Sequence, residues 1–209
     1  MTDALLSCYP MNDDLGFIEL IAYMGNDLTI VNAARVSYSK RSNTMTGKDA
    51  KLIDYLMRNE HGSPFEHVVF QFRVRAPLWV IQQWERHRIA SYNEESGRYV
   101  ELRPDFAIPL NAEHETIYRD LYRVAYETYR WLLDHGETKE RARVVLPLAL
   151  YKEFYVTMNA RALMNFIHLR NDPHAQDDIR AYAAAMEDMF SSVLVQTSKS
   201  FNNYGRKVP

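Results

Sequence analysis

Thirteen consecutive residues, RHRIASYNEESGR at 86–98, contain three arginines, one histidine, two glutamates, two serines and one asparagine. A single glycine among them is too few for a loop that cradles phosphate with backbone N–H groups, so side chains must hold any anion bound here. The guanidinium forks of Arg86, Arg88 and Arg98 suit phosphate or a carbonyl edge through paired hydrogen bonds. Asn93 and Glu94 can read a ribose hydroxyl or a heterocycle N–H. The same composition also fits a solvated helix end that runs into a charged loop.

A second polar group lies in NARALMNFIHLR, where Asn159, Arg161, Asn165 and Arg170 sit on and around one short helix. Asparagine and arginine cost helix propensity and desolvation where Leu or Ala would pack, so they mark a polar pocket or bond to neighbouring backbone. Metal chemistry has less support. Of the seven histidines, His61 and His67 with Glu66 come closest together, without the His-x-x-x-His face of a zincin helix. A Gly-x-Ser-x-Gly elbow and a P-loop are both missing from the sequence. Cys8 is the one thiol and cannot form an internal disulfide, which agrees with a reducing compartment.

These residues need elements to hold them. Phe17 to Tyr23 reads as a strand closed by Gly25-Asn26, with Asp27 placed to cap a helix carrying Leu28, Val31 and Ala34. From Asp49, the spacing of Leu52, Ile53, Leu56 and Met57 predicts a helix ending near His61-Gly62. In VVFQFRVRA the apolar Phe70, Phe72 and Val74 alternate with Gln71, Arg73 and Arg75, the pattern of a strand with one buried face. Pro77 suits the first turn of the next helix. The 86–98 motif would then begin at that helix's end and continue as a loop. A long helix over roughly 113–134 carries Ile117, Leu121, Val124, Thr128 and Trp131 along one stripe, with Gly136 past its end. Thr138 to Val145 forms a short helix stopped by Pro147, and LYKEFYVTM a strand. Asn159 opens another helix, Asp172-Pro173 gives an N-cap and first helical residue, and the final helix runs through AYAAAMEDMF. Strands and helices alternate too loosely for a parallel sheet, so a single α+β domain over 1–209, its sheet mainly antiparallel and packed by helices, is the economical reading.

Composition agrees. The chain has 209 residues, 47% of them hydrophobic and 25% charged, with a formal net charge of -2. That balance argues against a protein whose main task is neutralising a polyanion. With no basic leader before an apolar run and no stretch of about eighteen apolar residues, a cytoplasmic address is the default expectation.

RHRIASYNEESGR resembles the signature of the flavin-dependent thymidylate synthases at each fixed position: Arg86, His87, Arg88, Ser91, Asn93, Glu94, Ser96 and Arg98. HGSPFEHVVFQF before it, ARVVLPLALY after it and NARALMNFIHLRNDPHAQ further on resemble other segments of that family in the same order, so the similarity runs from about residue 17 to 190. The resemblance implies a fold like that of the thymidylate synthase-complementing proteins. It implies reductive methylation of dUMP to dTMP, with methylenetetrahydrofolate as one-carbon donor, FAD as redox carrier and NADPH as reductant. The flavin contacts it implies are Ser63, Arg86, His87, Arg88, Glu94, Asn159, Ala160, Arg161 and Asn165. Those for the nucleotide are Gln83, Trp84, Glu85, Arg86, Glu94, Glu95, Ser96, Gly97, Arg98, Arg143 and Arg170. It also implies a homotetramer whose active sites are shared between subunits.

Two anionic ligands would explain arginines in several separate segments of a nearly neutral chain. Uracil C5 is a poor nucleophile, so the ring must gain electron density or have charge on its carbonyls and N3 stabilised. Cys8, beside Pro10 in an expected terminal loop and outside every matched segment, is a poor candidate for covalent activation. By resemblance, Arg170 takes that role by polarisation, with a guanidinium facing O2 or N3. Ser96 has no base in view and reads as a positioning hydroxyl. Against relatives with longer inserts, the stretch 100–113 is short, and the chain ends soon after Phe201; both bear on folate and NADPH access and on subunit contacts. Two other readings stay open: a nucleotide- or RNA-binding module without catalysis, and a flavoprotein that only oxidises NADPH.

Overall fold

The alternation in VVFQFRVRA is realised in the middle of a five-stranded sheet. The computed structural model describes residues 5–204, 206 and 208. Its strands are β1 (Leu6–Cys8), β2 (Phe17–Met24), β3 (Val69–Pro77), β4 (Ser91–Glu94) and β5 (Tyr151–Asn159), in the order β1-β2-β3-β5-β4 with every neighbour antiparallel. Phe70, Phe72 and Val74 of β3 turn inward with Ile18 and Leu20 of β2 and Phe154, Val156 and Met158 of β5, and all are buried. On the other face Arg73 bridges Glu19 at 2.9 Å and Glu153 at 2.6 Å, linking β2, β3 and β5. Hydrogen bonding by Glu153 is the main reason its guanidinium pKa is raised.

The helices are α1 (Asp27–Arg35), α2 (Gly47–Arg58), α3 (Leu78–Trp84), α4 (Glu115–Asp134), α5 (Lys139–Ala142), α6 (Ala160–Arg170), α7 (Asp177–Val193) and α8 (Val195–Asn203). Trp84 at the end of α3 is fully buried between β5, α6 and α7, with ring centroids 5.3 Å from Phe154, 4.6 Å from Phe166 and 6.0 Å from Tyr182. Truncating such an aromatic costs about 3–5 kcal/mol. None of the helices among the described residues is long and apolar enough to cross a membrane.

Several sequence expectations are corrected. Asn26, not Asp27, caps α1: its Oδ1 accepts from the N–H groups of Leu28 and Thr29 at 3.0 and 3.2 Å, and Thr29 completes a capping box. Asp27 instead accepts from the N–H groups of Gln196 and Thr197, both at 2.9 Å, at the start of α8, an element the sequence reading did not separate. Pro77 is the last residue of β3 and caps α3 rather than lying inside its first turn. Asp172 does not cap α7. It accepts from His174 N at 2.8 Å in a local turn, and the helix begins with Gln176 as N-cap, because a short acidic side chain bonds its own backbone two residues on as readily as it caps. Thr138 to Val145 divides into α5 and a 3-10 turn, Arg143–Val145. Cys8 ends strand β1 opposite Ile18 and is not in a loop.

Helix α4 packs by a face that the sequence reading did not single out. Its inward face carries Tyr129, in a small separate cluster with Leu102, Ala142 and Leu150, and Tyr122, whose ring centroid is 5.2 Å from that of Phe106. The apolar stripe points outward, leaving Ile117 68%, Leu121 59%, Val124 50% and Trp131 57% exposed. A helix with two apolar faces satisfies one of them within the chain.

Candidate active site

The ends of α3 and α6 meet. Asn159 opens α6, its side chain accepting from Ala162 N at 2.8 Å, and Leu163, Phe166 and Ile167 bury one face of the helix. That fixes Arg170, at the other end, against the turn that follows α3. Arg170 donates from Nε to His87 Nε2 at 3.1 Å and from Nη2 to the Gln83 carbonyl at 3.0 Å. The His87 ring is buried edge-on to Phe166, with centroids 4.9 Å apart. Burial, and then the positive charge of Arg170, hold the imidazole down to about 4, so it is neutral near pH 7. A neutral ring that accepts at Nε2 carries its proton on Nδ1. Burial also lowers the Arg170 pKa, but a guanidinium keeps its charge.

The 86–98 segment, expected as a loop, makes strand β4 at its centre. Asn93 lies opposite Tyr155 and Glu94 opposite Phe154. The Tyr92 hydroxyl sits 2.8 Å from the His87 carbonyl and 3.2 Å from that of Trp84, sharing its one proton between them. Burial, then Glu85, push this phenol up to about 12, so it remains a donor. The sheet edge thereby holds the turn that carries His87.

Beside this junction lies a cavity of about 550 Å³, lined by Glu66, Arg86, His87, Arg88, Ile89, Asn159, Arg161, Ala162, Asn165 and Val208. Its size is within the ordinary range for ligand pockets. Six of the residues expected to contact flavin meet here: Arg86, His87, Arg88, Asn159, Arg161 and Asn165. Arg161 is held by Glu66 at 2.7 Å. Arg86 and Arg88 are exposed. Cationic forks beside two asparagine amides make a donor set fit for a dinucleotide's pyrophosphate and polar ring edges. Ala160 is buried next to the cavity. Ser63, exposed in the 3-10 turn Ser63–His67, is outside its lining.

Glu94 faces elsewhere. With Glu95 it lines a second cavity of about 500 Å³ that also holds Arg75, Arg103, Asp105 and Tyr151. Its carboxylate is ion-paired to Lys152, a nearly buried lysine of β5. Of the residues expected at the nucleotide, Gln83 and Arg170 touch each other, and Arg86 lines the first cavity. Glu85 is exposed at the α3 C-cap, and the Trp84 ring lies in the core, leaving only its backbone for a ligand. Ser96 begins a turn, accepting from Tyr99 N at its carbonyl at 3.0 Å and from Arg98 N at Oγ at 3.4 Å. Among the described residues no histidine or carboxylate bonds its hydroxyl. Arg98 reaches Glu140 at 3.5 Å. A Cβ on Gly97 would lie 2.7 Å from Leu102 Cδ1 and 3.2 Å from Arg143 Cδ, so the glycine leaves space for the Arg143 stem. One chain therefore brings the expected residues into separate groups, with Gly97, Arg98 and Arg143 away from the cavity of Arg86 to Arg88.

Tyr92, Lys152, Gln176 and Asp178 escaped sequence reasoning, and Glu66 entered it only in a metal grouping. Lys152 had a signal, because it shares the inward parity of Phe154 and Val156 in an alternating strand. Tyr92 had none, since nothing local says which carbonyl a strand tyrosine will reach.

The family described as thymidylate synthase complementing protein matches residues 19–194. A flavin-dependent thymidylate synthase of Thermotoga neapolitana is 48% identical over 204 residues, covering 93% of this chain and 94% of the relative. One from Thermus thermophilus is 45% identical over 194 residues, covering 84% and 72%. Among solved structures, a UMP/dUMP methylase, PolB, from Streptomyces cacaoi bound with 5-Br dUMP is similar with a TM-score of 0.86 at 37% identity, covering 92% of this chain and 97% of that one. The same methylase bound with 5-Br UMP gives 0.82 at 38% identity, with 92% and 96% covered.

Proposed function

The chain belongs to the thymidylate synthase complementing protein family, and from that membership we propose that it is an FAD-dependent thymidylate synthase that reductively methylates dUMP to dTMP. In this reading methylenetetrahydrofolate gives the one-carbon unit, NADPH is the reductant, and residues 1–209 form one catalytic domain. The observation that carries it is the Arg170–His87 hydrogen bond. It joins the motif at 86–98 to the arginine read as the activator of the pyrimidine.

When bound, FAD supplies the redox chemistry of the reaction. Arg86 and Arg88 offer its anionic groups two exposed cations, while Asn159 and Asn165 offer amides at the same cavity. Arg170 acts on the nucleotide. Its Nε and one Nη2 proton go to His87 and Gln83, which leaves three of the five N–H donors of a fixed fork for O2 or N3 of the uracil. A cation already in place thereby stabilises negative charge on this edge, and with it the electron-rich form of the ring from which C5 attacks.

No cysteine nucleophile is part of this reading. Cys8 lies on β1 and the motif strand is β4, at opposite edges of the sheet. Four strand spacings separate them, roughly 19 Å. The grouping of Gly97, Arg98 and Arg143 away from Arg86 to Arg88 supports active sites completed by another subunit. The outward stripe of α4 supports a homotetramer. A cytoplasmic location completes the proposal.

Purified protein should show flavin absorbance and form dTMP only with dUMP, methylenetetrahydrofolate and NADPH together. Protein refolded with excess FAD that retains none refutes the assignment. NADPH oxidation without dTMP would identify an oxidase instead.

A further inference from the structure

Asp178 lies at the start of α7, 2% exposed, and is not part of the motifs that identified the site. Three donors converge on its carboxylate: Leu110 N at 2.8 Å on Oδ1, and Trp79 Nε1 at 3.1 Å and Gln176 Nε2 at 2.8 Å on Oδ2. A carboxylate met only by donors acts as an acceptor, so Gln176 must turn its NH2 toward Asp178. Its Oε1 is then left for the other side, where it accepts from Gln83 Nε2 at 2.7 Å. Gln83 Nε2 also donates to the Trp79 carbonyl at 3.2 Å, which can only accept. Two independent partners thus set the same orientation for the Gln83 amide. The fourth polar atom, Gln83 Oε1, has no partner among the described residues. The backbone carbonyl of the same residue holds Arg170.

Gln176 gives up another bond to do this. It is the N-cap of α7, yet its side chain caps no N–H of the helix. Its two amide ends link Asp178 to Gln83 instead.

We propose that Asp178 and Gln176 are positioning residues that fix the polarity of the Gln83 amide, presenting Oε1 as an obligate acceptor to a hydrogen-bond donor of the bound nucleotide beside Arg170. This inference rests on the nucleotide reading given above. A pyrimidine nucleotide has two kinds of donor that Oε1 could take, a sugar O–H or the ring N3–H. With the relay cut, Gln83 keeps its bond to the Trp79 carbonyl but its amide is no longer doubly constrained. An amide turned the wrong way would meet the nucleotide donor with its own NH2.

The test measures dUMP binding by titration calorimetry, and turnover, for wild type, Gln176→Leu, Gln83→Leu and the double variant. Gln176→Leu should weaken dUMP binding about five- to tenfold and raise the dUMP KM while leaving kcat, flavin content and Tm near wild type. If Gln176 acts through Gln83, the double variant should bind no worse than Gln83→Leu, since residues in one network do not add. Dideoxy-UMP separates the two donors. If the partner is the 3′-hydroxyl, wild type and Gln176→Leu should bind this analogue alike; if it is the ring N–H, the loss should persist. Either result supports the relay. Undiminished dUMP binding by Gln176→Leu, or additive losses in the double variant, overturns it. A wild-type chain that binds no dUMP overturns the nucleotide reading and this inference together.

Discussion

Replacing Arg170 by lysine retains the charge and removes the fork, which makes it the sharpest test of polarisation chemistry. The arginine directs Nε at a neutral imidazole 3.1 Å away and Nη2 at a carbonyl 3.0 Å away, two directions set by one rigid plane. A lysine ammonium can reach one of these acceptors, and a hydrogen bond from a charged donor is worth about 1.5–3 kcal/mol. At about 1.4 kcal/mol per decade, losing one such constraint lowers kcat roughly 10- to 150-fold. Arg170→Ala, which removes the charge as well, should lower it further, by about a thousandfold or more. The assay is single-turnover dTMP formation at saturating dUMP, methylenetetrahydrofolate and NADPH, with flavin absorbance and Tm recorded on the same samples. The reasoning is refuted if Arg170→Lys keeps more than half of the wild-type kcat, or if its whole defect disappears at high dUMP. Either result would mean that a point charge is enough and that the fork does not orient the pyrimidine.

Further outcomes follow from other contacts. His87 is held at about 4, below its ordinary 6.5, so the unfolded chain takes up that proton first as the pH falls. Its contribution to stability is present above 6.5 and is lost as the pH drops toward 4. Relative to His87→Gln, wild type should lose on the order of 1.5–3 kcal/mol of unfolding free energy across that window, allowing for partial solvent screening; a constant difference in urea denaturation would contradict the assignment of a neutral ring. Leu121→Glu with Trp131→Glu places two charges on the outward stripe of α4 and should shift the sedimentation mass to smaller species, whereas an unchanged mass would remove the stripe from the assembly. Cys8→Ala should keep kcat within about twofold, and a collapse in turnover would reinstate a thiol.

The sequence made the central architecture legible wherever one residue's environment depends on near neighbours. Strand alternation in β3, the helix opening at Asn159 and the periodic apolar residues of α2 all follow from patterns that extend over a few residues. What escaped depends on distant partners. The strand character of β4 comes from pairing with β5, not from its own polar composition, so SYNE looks like a loop until Phe154 and Val156 stand beside it. The stripe on α4 was legible but not its surroundings, because periodicity identifies an apolar face without saying whether this chain or another covers it. Gln176 and Asp178 carry no local signal at all, since a glutamine before two aspartates suits a helix start equally well when it does nothing else. Within the site, the motif residues were named in advance, but their division between two cavities was not, because spacing in sequence does not reveal which side of a strand each residue serves.

The pairing of β3 with β5 bears on how the protein acquires its cofactor in time. Gln71 and Thr157 meet across 86 residues, Arg73 and Glu153 across 80, and Arg170 and His87 across 83. Contacts of such range form late in folding, since long loops must close before they are rewarded. A chain emerging from the ribosome displays its 86–98 arginines long before α6 exists to make a cavity with them. Flavin loading should therefore wait until nearly the whole chain has been synthesised. Depletion of flavin during expression would then yield folded apoprotein awaiting its cofactor, not chains arrested partway through folding.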